Sequence, residues 1–138
     1  MSEKVKIIQS SGKRKAAIAR AVLRYPAKNQ IKINNIPLEF YEPEIARLRI
    51  QEVLEIVEHP KIEKCDIKVR VKGGGRMGQT DAVRIAIAKS INKLVGTKTI
   101  EKTFREYDES LLSGDSRRTE PKHFGGTKAR KRRQKSFR

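Results

Sequence analysis

Residues 65–72 set apolar Ile67, Val69 and Val71 against Asp66, Lys68, Arg70 and Lys72. That alternation is the period of a strand with one dry face and one wet face. Shorter alternations mark residues 5–9 and 31–33. Residues 16–23, Ala-Ala-Ile-Ala-Arg-Ala-Val-Leu, have helical propensity, but the run is short and leaves through Tyr25-Pro26, so a strand is expected. Ser10-Ser11-Gly12 is expected to break the first strand. Residues 27–30 are expected to turn a hairpin into 31–33, and Asn34-Asn35 with Pro37 to make a second bend.

Two segments change period. After Glu42-Pro43-Glu44, where a proline and acids suit a helix start, Ala46, Ile50, Val53, Leu54 and Val57 recur on one helical face. This helix should stop before His59-Pro60. A second helix is predicted over residues 80–95, with Val83, Ile87, Ile91 and Leu94 as its stripe and Gly96 as its C-cap. Residues 101–116 fit a short helix or a loop. The order predicts an α+β fold, a two-layer α/β sandwich with helices on one face of a small mixed sheet.

Charge divides the 138 residues differently. The chain carries +17, with +8 in residues 1–34, zero in 35–116 and +9 in 117–138. A neutral body with two cationic ends is built to meet a polyanion. The last 22 residues hold too little apolar surface to offset their backbone entropy, so alone they are expected to stay unfolded. The expected division is a globular RNA-binding domain, 1–112, and an extended basic tail, 113–138. A single cysteine, Cys65, excludes an intramolecular disulfide and fits a reducing cytosol. No apolar run approaches the roughly 18 residues of a membrane span, and the N-terminus lacks a signal-peptide core. A soluble, intracellular protein is expected.

Gly73, Gly75 and Gly78 satisfy G-x-G-x-x-G between a strand and a helix, the context of a dinucleotide site. The same stretch reads as a P-loop with Gln79 in place of lysine, which removes the ammonium that contacts phosphates. A plain tight turn is the bland alternative. Backbone N–H groups at a helix start, with Arg76 beside them, also suit a nucleic-acid phosphate. Lys13-Arg14-Lys15 reads as an RNA contact or as a solvated run; Arg70, Lys72, Arg84 and Lys89 fit a solvated face equally well. The arginine-rich tail matches closely spaced phosphates and can extend roughly 70 Å. His59, His123, Cys65 and the scattered acids form no nucleophile or metal arrangement. No enzyme, cofactor or metal is expected. The rival readings are a nucleotide-dependent RNA-processing enzyme and a free-standing nucleic-acid chaperone.

Three stretches carry a family resemblance: residues 11–20 (Ser-Gly-Lys-Arg-Lys-Ala-Ala-Ile-Ala-Arg), residues 71–84 around Gly73-Gly74-Gly75-Arg76-Met77-Gly78-Gln79, and the ending Gln134-Lys135-Ser136-Phe137-Arg138. In order, and over essentially the whole chain, they resemble the ribosomal protein nine family of the small subunit. The ending resembles archaeal or eukaryotic members, since bacterial ones typically close with Ser-Lys-Arg. The resemblance implies a cytoplasmic, non-enzymatic constituent of the subunit head, lying beside other head proteins and away from membranes. Its implied body resembles domain two of the fifth small-subunit protein, with a left-handed β-α-β crossover. Implied ribosomal RNA contacts are Lys13, Arg14, Lys15, Gly73, Gly74, Gly75, Arg76 and Gln79, continuing through tail residues Arg117, Arg118, Lys122, Lys128, Arg130, Lys131, Arg132 and Arg133. Lys135, Ser136, Phe137 and Arg138 would form a tip against peptidyl-site transfer RNA.

Overall fold

A computed structural model describes residues 4–133 and Ser136. Five strands form one mixed sheet: β1 (Lys6–Arg14), β2 (Ala17–Tyr25), β3 (Gln30–Ile33), β4 (Ile36–Pro37) and β5 (Asp66–Lys72), in the spatial order β1-β2-β5-β3-β4. Only β3 and β5 run parallel; the other neighbours are antiparallel. Four helices follow the sequence order: α1 (Glu44–Glu55), α2 (Arg76–Val95), α3 (Lys98–Tyr107) and α4 (Ser110–Ser113).

Alternation along the strands sorts the two faces. Ile8, Gly12, Ala17, Ala19, Ala21, Leu23, Ile67, Val69 and Val71 are all buried on one side. Helix α2 crosses that side over β1, β2 and β5, and α1 packs beside α2. Ala17, Ala19 and Ala21 of β2 and Ala82 and Ala86 of α2 belong to one buried core, and small residues at Gly12 and Ala82 let helix and sheet approach closely. The opposite side carries Lys13, Arg20, Arg24, Lys68, Arg70 and Lys72, all exposed. On β5 parity alone separates the apolar set from the cations; β1 and β2 also place Ile7, Ile18 and Val22 on the cationic side.

Several expectations need correction. Ser10-Ser11-Gly12 does not break β1, which runs through it unbroken. Those small residues are where α2 comes nearest: Ser10 Oγ donates to the Ala86 carbonyl at 2.7 Å, and a Cβ on Gly12 would collide with the Ala82 carbonyl. Residues 27–30 do not close a β2–β3 hairpin, because β5 lies between those strands. Instead the connection crosses the end of β5, with Ala27 N–H donating to Lys64 O at 2.8 Å and Gln30 N–H to Cys65 O at 3.3 Å. All seven residues of β5 pair with β2 and four of them pair with β3, so the longer strand lies between the two. Helix α2 begins at Arg76, four residues before the predicted start at 80, so Gly78 belongs to its first turn.

Other features stand as expected. Residues 17–25 are a strand, α1 buries Ala46, Ile50 and Val53, and Gly96 caps α2 in the left-handed region at φ 65°. Asn34 and Asn35, at φ 49° and 69°, turn β3 tightly into β4. The ambiguous stretch 101–116 is mostly helix: α3 buries Ile100 and Phe104, α4 buries Leu111, and both pack on the core under α2.

Candidate nucleic-acid interface

Two cation-bearing segments about sixty residues apart in sequence meet in space. The β1–β2 hairpin turns tightly at Lys15, whose φ of 52° lets the chain reverse in two residues. The glycine loop rests against this turn. A Cβ on Gly73 would lie 2.6 Å from the Ala16 carbonyl oxygen, and one on Gly74 would lie 2.9 Å from Ala17 N. Both glycines also have positive φ, 79° and 68°, so no other residue fits this junction without strain. Gly75 then caps α2 with no side-chain hydrogen bond and no acid in the helix's first turn. Lys15, Arg76 and the exposed backbone of Gly73 to Gly75 therefore lie at the positive end of the helix dipole, with Lys13 on the other side of the same hairpin.

Gln79 has a local task. Its Nε2 donates to the Gly73 carbonyl at 3.1 Å and braces the loop from the first turn of α2. The position that a P-loop gives to a phosphate-binding lysine holds an amide turned back onto its own loop.

Arg14 is turned inward, unlike its neighbours Lys13 and Lys15. Its side chain is 14% exposed and lies 3.8 Å from Asp81 and 3.2 Å from Asp115. Its Nη1 also donates to the Arg117 carbonyl at 3.3 Å. Asp81 faces Arg49 at 3.3 Å and Arg84 at 3.8 Å, and Arg84 reaches Glu52 at 3.1 Å. This network ties β1, α1, α2 and the start of the tail together. Asp115, 9% exposed, accepts from Arg117 Nη2 at 2.8 Å and from the Arg117 backbone N–H at 3.0 Å. The Arg117 hydrogen bonds hold the Asp115 carboxyl far below the usual carboxylate range, and the same bonds raise Arg117. Sequence reasoning missed Asp81, Asp115, Arg49 and Arg84 as a cluster; only the Asp115-x-Arg117 spacing was visible without the fold.

Beyond this anchor the described tail exposes Arg118, Lys122, Lys128, Arg130, Lys131, Arg132 and Arg133. It doubles back once. Arg130 pairs with Glu120 at 2.9 Å, Thr127 N–H donates to Lys131 O at 3.2 Å and Arg133 N–H to Gly125 O at 3.1 Å. Ser136 is exposed, while Lys135, Phe137 and Arg138 lie outside the described residues.

Cys65 is 2% exposed, its Sγ lies 2.9 Å from the Lys61 carbonyl, and burial pushes the thiol up to about 11. It is a core residue with almost no thiolate at neutral pH. His59 Nδ1 accepts from the Lys61 backbone N–H at 3.2 Å, a turn contact. Among the described residues, no three of His, Cys, Asp or Glu stand where they could share a metal ion. No helix among them is long and apolar enough to cross a membrane.

Comparison with known proteins bears on the same segments. The family model for ribosomal protein S9/S16 matches residues 12–138. A small ribosomal subunit protein uS9 from Desulfurococcus amylolyticus is 46% identical over 138 residues, covering all of this chain and 97% of the relative. The uS9 protein of Methanothrix thermoacetophila is 45% identical over 134 residues, covering 97% of this chain and the whole relative.

Proposed function

The chain belongs to the ribosomal protein S9/S16 family, a structural constituent of the small ribosomal subunit and not an enzyme, and on that premise we propose that it binds ribosomal RNA through the hairpin–glycine-loop corner and reaches transfer RNA with its tail. The body, residues 1–112, holds the RNA; the tail, 113–138, threads away from it. One observation carries this reading: the hairpin that bears Lys13 and Lys15 packs on the glycine loop at the open N-terminus of α2, next to Arg76 in sequence, and Arg14 of that hairpin holds the start of the tail.

The mechanism is positional electrostatics. Phosphates meet Lys13, Lys15, Arg76 and the glycine backbone, which fixes orientation with little reading of base identity. Arg14 acts indirectly, by holding Asp115 and so aiming Arg117, Arg118 and the cations beyond them along one path. Gln79 keeps the loop in register. The tail cations, Lys122 through Arg133, gain charge-assisted contacts along the RNA and release counterions. At the end of the path Lys135, Ser136, Phe137 and Arg138 meet the peptidyl-site transfer RNA. The same reading includes a left-handed β3–α1–β5 crossover, neighbouring head proteins and a cytoplasmic ribosome.

The test is incorporation. Full-length Lys13→Glu/Lys15→Glu/Arg76→Glu, expressed beside the unaltered chain, should be lost from the small-subunit peak of a sucrose gradient while still folding as judged by circular dichroism. Undiminished co-migration through a high-salt wash would contradict the corner as the RNA-holding element. Removing residues 134–138 should spare incorporation and weaken transfer-RNA retention, so failed assembly would contradict the division between body and tip.

A further inference from the structure

The open face of the sheet holds a second cationic surface, separate from the hairpin corner and the tail. Five exposed cations point from it, apart from Lys13 of the corner: Arg20 and Arg24 on β2, and Lys68, Arg70 and Lys72 on β5. Lys32 of β3, in register with Lys68, continues the surface toward the next strand. Asp66 is the one acid there, half-buried and opposite Arg24. Among the described residues none of these cations makes an ion pair, although arginines elsewhere in the molecule do. Arg20, Arg24, Lys68 and Arg70, with Gln9 and Ser11, line a groove of about 630 Å³ on this face.

The register makes the arrangement costly for the free protein. Arg20 lies directly opposite Arg70 across the antiparallel β2–β5 pair. Like charges in directly opposed cross-strand positions destabilise a sheet, and the usual choice there is an apolar or opposite-charge pair. A polyanion laid over the face removes that cost. Along β5 the three cations recur every second residue, about 6.8 Å apart, with β2 about 4.8 Å to the side. A row of phosphates can meet such a lattice. The rest of the face is aliphatic or small and polar: Ile7, Ile18, Val22, Gln9 and Ser11. It has no Phe, Tyr or Trp. Sheet surfaces that read single strands stack bases on aromatic rings, so stacking is not available here, and backbone contact is.

We infer that this open face docks the phosphate backbone of a double-helical segment of ribosomal RNA. The inference rests on the RNA-binding reading above and adds to it a surface composed of different residues. Phosphate contact orients the body on the RNA, so the hairpin corner and the sheet face hold it from two sides.

The experiment uses the full chain and transcribed small-subunit ribosomal RNA, with binding measured at several potassium chloride concentrations. Wild type is compared with Arg20→Gln/Lys68→Gln/Arg70→Gln and with a charge-matched control, Lys61→Gln/Lys98→Gln/Lys102→Gln. Each lost phosphate contact lowers the slope of log affinity against log salt by about one, so the face variant should lose about 2–3 and the control much less. Equal slopes for the face variant and the control overturn the inference while leaving the RNA-binding reading intact. If the wild type fails to bind the RNA at all, the RNA-binding reading falls, and this inference with it. Removing opposed like charges should not lower the melting temperature; if the triple variant nevertheless unfolds, Arg70→Gln alone carries the test, with an expected slope loss of about one. A photoreactive group at position 70 that links to a protein in the assembled subunit, rather than to RNA, overturns the inference as well.

Discussion

Arginines on the two sides of this molecule are used in opposite ways. On the helical side, Arg14, Arg49 and Arg84 face Asp81, Glu52 and Asp115, and their charge is matched within the fold. On the open sheet face, Arg20, Arg24 and Arg70 have no acid within ion-pair distance among the described residues. A net charge of +17 does not distinguish these groups. The matched cations fix geometry: they join β1, α1, α2 and the tail's first residues. The unmatched ones stay available to a partner. Cation count alone therefore does not separate Arg14, matched within the fold, from Arg20 and Arg70, which are not.

Adjacent residues on β2 sharpen the contrast most strongly. Leu23 is fully buried on the core face and Arg24 is exposed on the other. Leu23→Ala should cost about 2–5 kcal/mol of unfolding free energy, whereas Arg24→Ala should stay within about 0.5 kcal/mol, both read by urea denaturation. A large cost at Arg24 would mean that the open face contributes to folding after all.

The matched network should show itself in the tail. Asp115→Asn removes the negative charge that Arg117 and Arg14 face and one of its two acceptor oxygens, so trypsin should cut after Arg117 and Arg118 several-fold faster than in the unaltered chain. Its pH dependence follows from the depressed carboxyl. The folded pKa lies below the unfolded value of about 4, so the contribution is fully present above that value and is lost as pH falls below it. The melting-temperature gap between wild type and Asp115→Asn should therefore persist from pH 8 to about 5 and close only in stronger acid.

Arg70→Gln is the converse case. Relieving the Arg20–Arg70 opposition should stabilise the free protein by about 0.2–1 kcal/mol, the opposite sign to a matched arginine such as Arg84. A further effect, confined to alkaline pH, concerns Cys65. Its pKa is raised to about 11, so the folded protein loses stability as pH rises from the free-thiol range near 8.5 toward 11. Thiol reagents at pH 8 should label the native chain only at the rate of its opening.

Much of the fold was legible because parity and helical period are local signals. The strand at 65–72, the stripes of α1 and α2 and the Gly96 cap could all be read without a partner element. Failures came where distant elements decide. Ser10-Ser11-Gly12 looks like a break until α2 is laid against Ser10 and Gly12, and β2 and β3 look like a hairpin until β5 is laid between them. The glycine loop and the Lys13–Lys15 run each stood out alone, but their contact depends on the fit of Gly73 and Gly74 against Ala16 and Ala17. Arg14 could not be separated from Lys13 and Lys15 by type; its inward turn depends on Asp81 and Asp115, far away in sequence.

The buried, unreactive Cys65 permits a direct test of the central claim, because a cysteine introduced elsewhere can be labelled selectively. Full-length Lys15→Cys and Glu58→Cys, each carrying a tethered hydroxyl-radical source, would be assembled into small subunits and the ribosomal RNA mapped for cleavage. The account predicts strong, localised cleavage from position 15, at the hairpin–glycine-loop corner, and weaker cleavage from the acidic end of the body at 58. Equal cleavage from both, or none from position 15, would contradict it.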